Sequence, residues 1–146
     1  MRLRHLGITV CDMEKMQNFY CNVVGCEITK TMEESGEVID NFSGIKNVQV
    51  TTTKMKLPEG GMVELLKYHS PEGNDTPLQN QYRQIIQIGV SHYALTVKNL
   101  DNLYERLKRE NIEFFHKVQK SPDGNVKIAF CRDPEGNILE LVEELC

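Results

Sequence analysis

Two stretches of the chain match. Arg4-His5-Leu6-Gly7-Ile8-Thr9-Val10 lies near the start, and Ser91-His92-Tyr93-Ala94-Leu95-Thr96-Val97 lies 87 positions later. At that offset His5 meets His92, Ile8 meets Leu95, Thr9 meets Thr96 and Val10 meets Val97. Both are rich in β-branched and apolar residues, so each reads as a strand with a histidine in or beside its apolar run. A chain that places one histidine at the same point of two similar strands is expected to be built from two copies of one unit.

The rest of the chain bears on that expectation. Residues 3–10 read as a strand. Asp12 follows as an N-cap, and Met13, Met16, Phe19, Tyr20, Val23 and Val24 recur at helical spacing up to Gly25. Cys26 to Thr31 is a second expected strand, residues 33–47 a long polar excursion, and Val48 to Met55 a third strand. Pro58-Glu59-Gly60-Gly61 is a turn, and Met62 to Tyr68 returns from it as a fourth strand. Residues 69–88, with Pro71, Gly73, Asn74, Asp75 and Pro77, break the pattern and read as a connector or lid. The cycle then restarts. A strand is expected over 90–97, a helix over 99–110 with Leu100, Leu103, Tyr104 and Leu107 on one face, and strands over 112–116, 126–131 and 138–143. The order is β-α-β-β-β twice, in modules of about 1–68 and 89–146.

A second offset, 76, aligns the ends of the modules. Pro58-Glu59-Gly60 falls on Pro134-Glu135-Gly136, and Met62, Glu64, Leu65 and Leu66 fall on Ile138, Glu140, Leu141 and Val142. The two offsets differ by eleven, so the first module carries about eleven extra residues. The 33–47 excursion is the place for them.

The matched residues include chemistry. Glu64 and Glu140 each have apolar neighbours on both sides along the chain and at i±2. Whichever way such a side chain points, it meets an apolar strand surface. An unpaired carboxylate there costs on the order of several kcal/mol, so each needs a partner or a proton. A lone strand histidine is more often a satisfied core or edge residue than a ligand, and a lone glutamate can pair with a cation such as Lys127 or Arg4. Repetition weighs against both readings, because chance would have to place each residue type at matching points twice. A divalent cation held by His5, Glu64, His92 and Glu140 satisfies all four groups. Two imidazoles and two carboxylates suit a six-coordinate Zn, Ni, Co, Mn or Fe ion with two positions left open.

Composition excludes other classes. At 146 residues with 40% hydrophobic and 26% charged residues, an ordinary soluble single domain is expected. No apolar run reaches the roughly 18 residues of a membrane span. The net charge of −4 argues against nucleic acid as a partner. Met1-Arg2-Leu3-Arg4 runs directly into the first strand and leaves no stretch for a signal peptide. Five cysteines (Cys11, Cys21, Cys26, Cys131 and Cys146) without CxxC spacing suggest reduced thiols in the cytoplasm rather than disulfides or a zinc-thiolate site.

With these motifs in place the chain resembles the vicinal oxygen chelate superfamily, which groups glyoxalases, bleomycin-resistance proteins and extradiol dioxygenases. The resemblance rests on His5-Leu-Gly-Ile-Thr-Val with Phe19-Tyr20 and Gly25, on Val63-Glu64-Leu65-Leu66, on His92-Tyr-Ala-Leu-Thr-Val, and on Asp133-Pro134-Glu135-Gly136-Asn137-Ile138-Leu139-Glu140-Leu141. It implies an α+β fold of two tandem βαβββ modules whose curved mixed sheets enclose a metal site. His5, Glu64, His92 and Glu140 map one by one onto its ligand positions. Dioxygenase and fosfomycin-type branches typically use two His and one Glu. A carboxylate at Glu64 is more like glyoxalase I, whereas methylmalonyl-CoA epimerase usually has Gln there. Bacterial glyoxalase I commonly holds glutathione with an Arg on the first strand and an Asn after the first Glu strand. This chain has Thr9 and Lys67-Tyr68-His69 in those regions, so another thiol adduct, a CoA ester or a 2-oxo compound comes into view as substrate.

The function expected from this resemblance is a divalent-metal-dependent lyase or isomerase of the glyoxalase I type, abstracting a proton next to a carbonyl held by the metal. Glu140 is the expected base and Glu64 the group that returns the proton. The alternatives are an epimerase-like isomerase and a non-catalytic small-molecule-binding or resistance protein on the same fold. His116, Lys127, Arg132 and Arg83 are further candidate substrate contacts, more often surface residues. A homodimer is expected, and the site can be built within one chain or across two.

Overall fold

The computed structural model describes residues 3–71, 85, 86 and 88–145. The chain divides into two compact units, Met1–Pro77 and Leu78–Cys146. Most of the expected connector, and Arg83 within it, lies outside the described residues.

The first unit opens with β1 (Leu6–Thr9) and α1 (Met13–Asn18), and a π-helical segment (Phe19–Val24) continues α1. The side chain of Asp12 caps α1 by accepting the N–H of Lys15. Gly25, with φ 86°, ends the π-helical segment. A single α-helix to Val24 was the expectation. The wider winding still buries Met16, Phe19, Tyr20 and Val23, so the apolar spacing did not distinguish the two. β2 (Glu27–Ser35), α2 (Glu37–Ser43), β3 (Gln49–Lys56) and β4 (Met62–Ser70) complete the unit. The sheet order is β1-β4-β3-β2, with β1 parallel to β4 and the other pairs antiparallel. One face of this sheet carries Ile8, Val10, Met55, Val63 and Leu65, all buried.

The second unit repeats the plan with β5 (Tyr93–Thr96), α3 (Leu100–Arg109), β6 (Gln119–Lys120), β7 (Val126–Arg132) and β8 (Ile138–Glu144). Its order is β5-β8-β7-β6, with β5 parallel to β8. Leu100, Tyr104 and Leu107 of α3 are buried, as are Ala129, Cys131, Leu139 and Leu141. Glu143 accepts the backbone N–H groups of Asn99 and Leu100 at the start of α3, where a helix leaves donors unsatisfied. The two units are therefore α+β modules on one plan, each built on an open four-stranded mixed sheet.

The register repeats in detail. Gly7 pairs with Glu64 and Ala94 with Glu140. The Val10 N–H donates to the Leu66 carbonyl, and the Val97 N–H to the Val142 carbonyl. Both offsets read in the sequence, 87 and 76, thus reappear as strand pairings. The third strands follow as well: Thr51 pairs with Glu33 and Lys127 with Lys120. The chain takes eleven more residues to make that connection in the first unit, and they form the end of β2 and α2. The polar excursion is thus partly strand and partly helix, not loop. Asp40 holds α2 to the following segment by accepting the N–H groups of Asn47 and Val48.

The expected strand 112–116 is reduced to a single bridge between Phe114 and Cys131. The chain bends over residues 115–117 before β6 begins. At the matched place in the first unit, β2 shifts register between Ile28 and Lys30. A local irregularity that β2 absorbs as a bulge interrupts the second module's strand altogether.

The turn before β8 is built by one carboxylate. Asp133, 4% exposed, accepts the backbone N–H of Glu135 and Asn137 through Oδ1 and the Asn137 side-chain amide through Oδ2. Gly136, at φ 92°, closes it. Asp133→Ala leaves these donors without their acceptor and is expected to destabilise the fold by about 2–3 kcal/mol. Urea denaturation measures this, and a loss below about 0.5 kcal/mol, the range of an ordinary surface change, would contradict the assignment.

Cys21, Cys26 and Cys131 are free thiols. Burial pushes the Cys26 thiol up to about 11 and the Cys131 thiol up to about 12, with the charges of Cys21 and Asp133 respectively adding to the effect. Iodoacetamide at pH 8 is expected to leave both unmodified until denaturant is added. Because the unfolded thiols lose protons first, near 9.0, stability is expected to fall as pH rises from there toward 12. Labelling of either thiol in the native protein at pH 8 would contradict their burial.

Candidate metal centre

Each unit brings one histidine to one glutamate. In the first, His5 Nε2 lies 3.5 Å from Glu64 Oε2. In the second, His92 Nε2 lies 3.1 Å from Glu140 Oε2. The parallel pairing explains both. Each histidine stands two residues before the strand partner of its glutamate, and residues two apart in a strand share a face. The partners themselves, Gly7 and Ala94, are small.

The environment of the pairs follows from which face of the sheet they use. Glu64 and Glu140 lie on the face opposite the buried Val63, Leu65, Leu139 and Leu141. Their side chains are 13% and 19% exposed. That is shielded enough to require a partner, yet open enough to admit a ligand. Glu64 has a second partner, the ammonium of Lys54, whose Nζ lies 3.5 Å from Oε1. His92 has a second partner, Ser91, whose hydroxyl lies 2.8 Å from Nδ1. A hydroxyl both donates and accepts, so Ser91 can hold the ring in either tautomer and leave Nε2 directed at Glu140. The edge of the Phe130 ring meets His92 at 5.3 Å, and Phe115 stacks on Phe130 at 6.3 Å.

This donor set fits a divalent cation. Two ligands on adjacent corners of an octahedron, each about 2.1 Å from the ion, lie roughly 3.0 Å apart. The His92–Glu140 separation has that value, and the His5–Glu64 separation is half an ångström wider. Nitrogen and carboxylate oxygen are also the ligand types such an ion takes. Among the described residues, His, Cys, Asp and Glu do not gather in groups of three or more that could hold a metal. The structure presents the four expected ligands as two pairs.

The other sequence candidates have different roles. Lys127 pairs with Asp101 and Glu143 rather than with Glu140. Arg132 donates to the Gly136 carbonyl, and its guanidinium lies 4.8 Å from the centre of the Phe115 ring. His116 Nδ1 lies 2.6 Å from the Lys117 carbonyl oxygen. His69 meets Thr51. A groove of about 370 Å³ beside α3 is lined by Asp101, Tyr104, Glu105, Lys108, Lys117 and Val118, and shares no residue with either pair. Sequence reasoning missed Lys54, Ser91 and Phe130. The offset of 76, carried on to the third strands, would have set Lys54 against Phe130 beside the two glutamates.

The comparisons agree with this architecture. The family model of the Glyoxalase/Bleomycin resistance protein/Dioxygenase superfamily matches residues 2–141. The chain is 27% identical to a lactoylglutathione lyase of Salmonella typhimurium, over 98% of this chain and 93% of the relative. It is 28% identical to that of Schizosaccharomyces pombe, again over 98% of this chain but spanning only 47% of the relative's length. The mitochondrial methylmalonyl-CoA epimerase of Bos taurus is 25% identical over 82% of this chain and 59% of its own length. Among solved structures, a glyoxalase family protein from Bacillus cereus superposes with a TM-score of 0.88 at 21% identity, covering 100% of this chain and 95% of that one. A fosfomycin resistance protein from Listeria monocytogenes, solved with Mn(II) and sulfate, superposes with a TM-score of 0.62 at 15% identity, covering 97% and 91%. With the family model spanning nearly its whole length, the chain belongs to the Glyoxalase/Bleomycin resistance protein/Dioxygenase superfamily.

Proposed function

We propose that this chain is a divalent-metal-dependent lyase or isomerase of the glyoxalase I type, and that His5, Glu64, His92 and Glu140 are the four ligands of one cation. The observation that carries this reading is the matched pair of His–Glu contacts, placed by the same strand register in both units. The lactoylglutathione lyases among its relatives support the reaction class. The Mn(II) in a protein of the same fold supports the cofactor class.

A divalent cation held by these groups supplies Lewis-acid stabilisation of the negative charge that develops on a carbonyl oxygen. The chain's own residues do the rest. Glu140 takes the proton from the carbon next to that carbonyl, and Glu64 returns one to the neighbouring carbon. Ser91 keeps the His92 ring oriented while this happens. Phe130 and Phe115 present an apolar wall beside His92 that limits water at the reacting carbon. Thr9 and Lys67-Tyr68-His69 stand where bacterial glyoxalase I commonly has the Arg and Asn that hold glutathione, which brings another thiol adduct, a CoA ester or a 2-oxo compound in beside a glutathione adduct as substrate.

An epimerase-like isomerase would share the first proton transfer, and the epimerase relative supports testing it. The experiment is metal analysis of the purified chain, followed by exchange of substrate protons with D2O. About one equivalent of divalent metal per chain is expected, lost in His92→Ala and Glu64→Ala. Exchange is expected on either a hemithioacetal or an acyl-CoA ester, slowed about 10²–10⁴-fold in Glu140→Gln. A chain that takes up no Zn²⁺, Ni²⁺ or Co²⁺ would contradict the enzyme reading and leave a binding protein on this fold.

A further inference from the structure

The two units differ at a matched place beside the glutamates. On the third strand of each sheet, the residue paired with the glutamate is Lys54 in the first unit and Phe130 in the second. Residues paired across antiparallel strands have neighbouring side chains on one face. Glu64 therefore has an ammonium at its side and Glu140 an aromatic ring. In the first unit the carboxylate is held at both oxygens, Oε1 by Lys54 Nζ and Oε2 by His5 Nε2, each at 3.5 Å. In the second, Phe130 carries no charge and meets His92 through its ring edge.

We infer that Lys54 is a positioning residue that acts through Glu64. It holds the carboxylate with one oxygen turned to His5, and it competes with a divalent cation for that carboxylate. The inference rests on the metal reading above and extends it, because the four ligands alone would make the two halves equivalent.

Charge gives the direction of the effect. Two neutral imidazoles, two carboxylates and one dication sum to zero. Lys54 adds a fixed positive charge beside the first carboxylate and repels the incoming ion. Glu64 is mostly shielded from solvent, while Lys54 is partly exposed at 36%, so the repulsion is damped but not removed. The first half thus keeps a satisfied carboxylate when no metal is bound, and the second depends on His92 for the same purpose. The site is stable empty at the cost of weaker loading.

The test is the Zn²⁺ and Co²⁺ affinity of the full-length chain, measured by competition with a chromophoric chelator. Wild type is compared with Lys54→Met, which keeps the length of the side chain without its charge, and with Lys54→Arg, which keeps the charge. Lys54→Met is expected to bind either ion about tenfold more tightly, and Lys54→Arg to stay within about twofold of wild type. Circular dichroism of both variants verifies that they are folded. If Lys54→Met binds no tighter than wild type, or if Lys54→Arg shifts affinity as much as Lys54→Met, the inference is overturned while the metal reading stands. If neither wild type nor Lys54→Met binds metal, both fall. Binding by Lys54→Met but not by wild type supports the inference in its strongest form.

Discussion

The parallel pairing of a module's first strand with its last is the constraint on which the rest depends. Leu6 opposite Val63 and Tyr93 opposite Leu139 fix two results at once. Val63, Leu65, Leu139 and Leu141 are buried on one face. Glu64 and Glu140 are carried on the other, each within reach of a histidine two residues upstream of its partner. A slip of one residue would exchange the faces. It would bury the carboxylates and expose the leucines, so the apolar core and the His–Glu pairs are held in register by the same hydrogen bonds.

That arrangement resolves the electrostatic problem of a glutamate in an apolar strand without metal. Each carboxylate already has a histidine, and Glu64 also has Lys54. Under the proposed reading such a site folds first and takes its ion afterwards, and within each unit the two donor atoms already lie at 3.5 Å and 3.1 Å. The two units reach this state with different neighbours, an ammonium in one and an aromatic ring in the other. The repeated plan supplies equivalent frames, and the residues beside the glutamates, Lys54 and Phe130, make the frames chemically distinct.

Much of this was legible in the residues. The offsets of 87 and 76 were visible as repeated letters and returned as strand pairings. The four ligand candidates fell into pairs on matched strands. What escaped notice has physical reasons. α2 was hidden because it is seven residues long and buries none of them fully; two of its three large apolar residues, Val38 and Phe42, are 60% and 82% exposed, and so short a stretch gives little periodicity to read. The strand expected at Ile112–His116 was lost to a bend that no turn residue announces. The change from α to π winding at Phe19 left the buried positions unaltered. Lys54 carries no signal of its own within the alternating strand Val48 to Met55. A lysine in such a strand passes for a solvent-facing residue until its partner is known to be Glu64.

The central proposal is that the two matched His–Glu pairs serve one divalent ion. X-ray absorption at the zinc edge of the zinc-loaded chain reads the ligands directly. The account predicts two imidazole nitrogens and carboxylate oxygens at about 2.0–2.2 Å, with no sulfur. A spectrum with one imidazole or none, or with a thiolate near 2.3 Å, would contradict it.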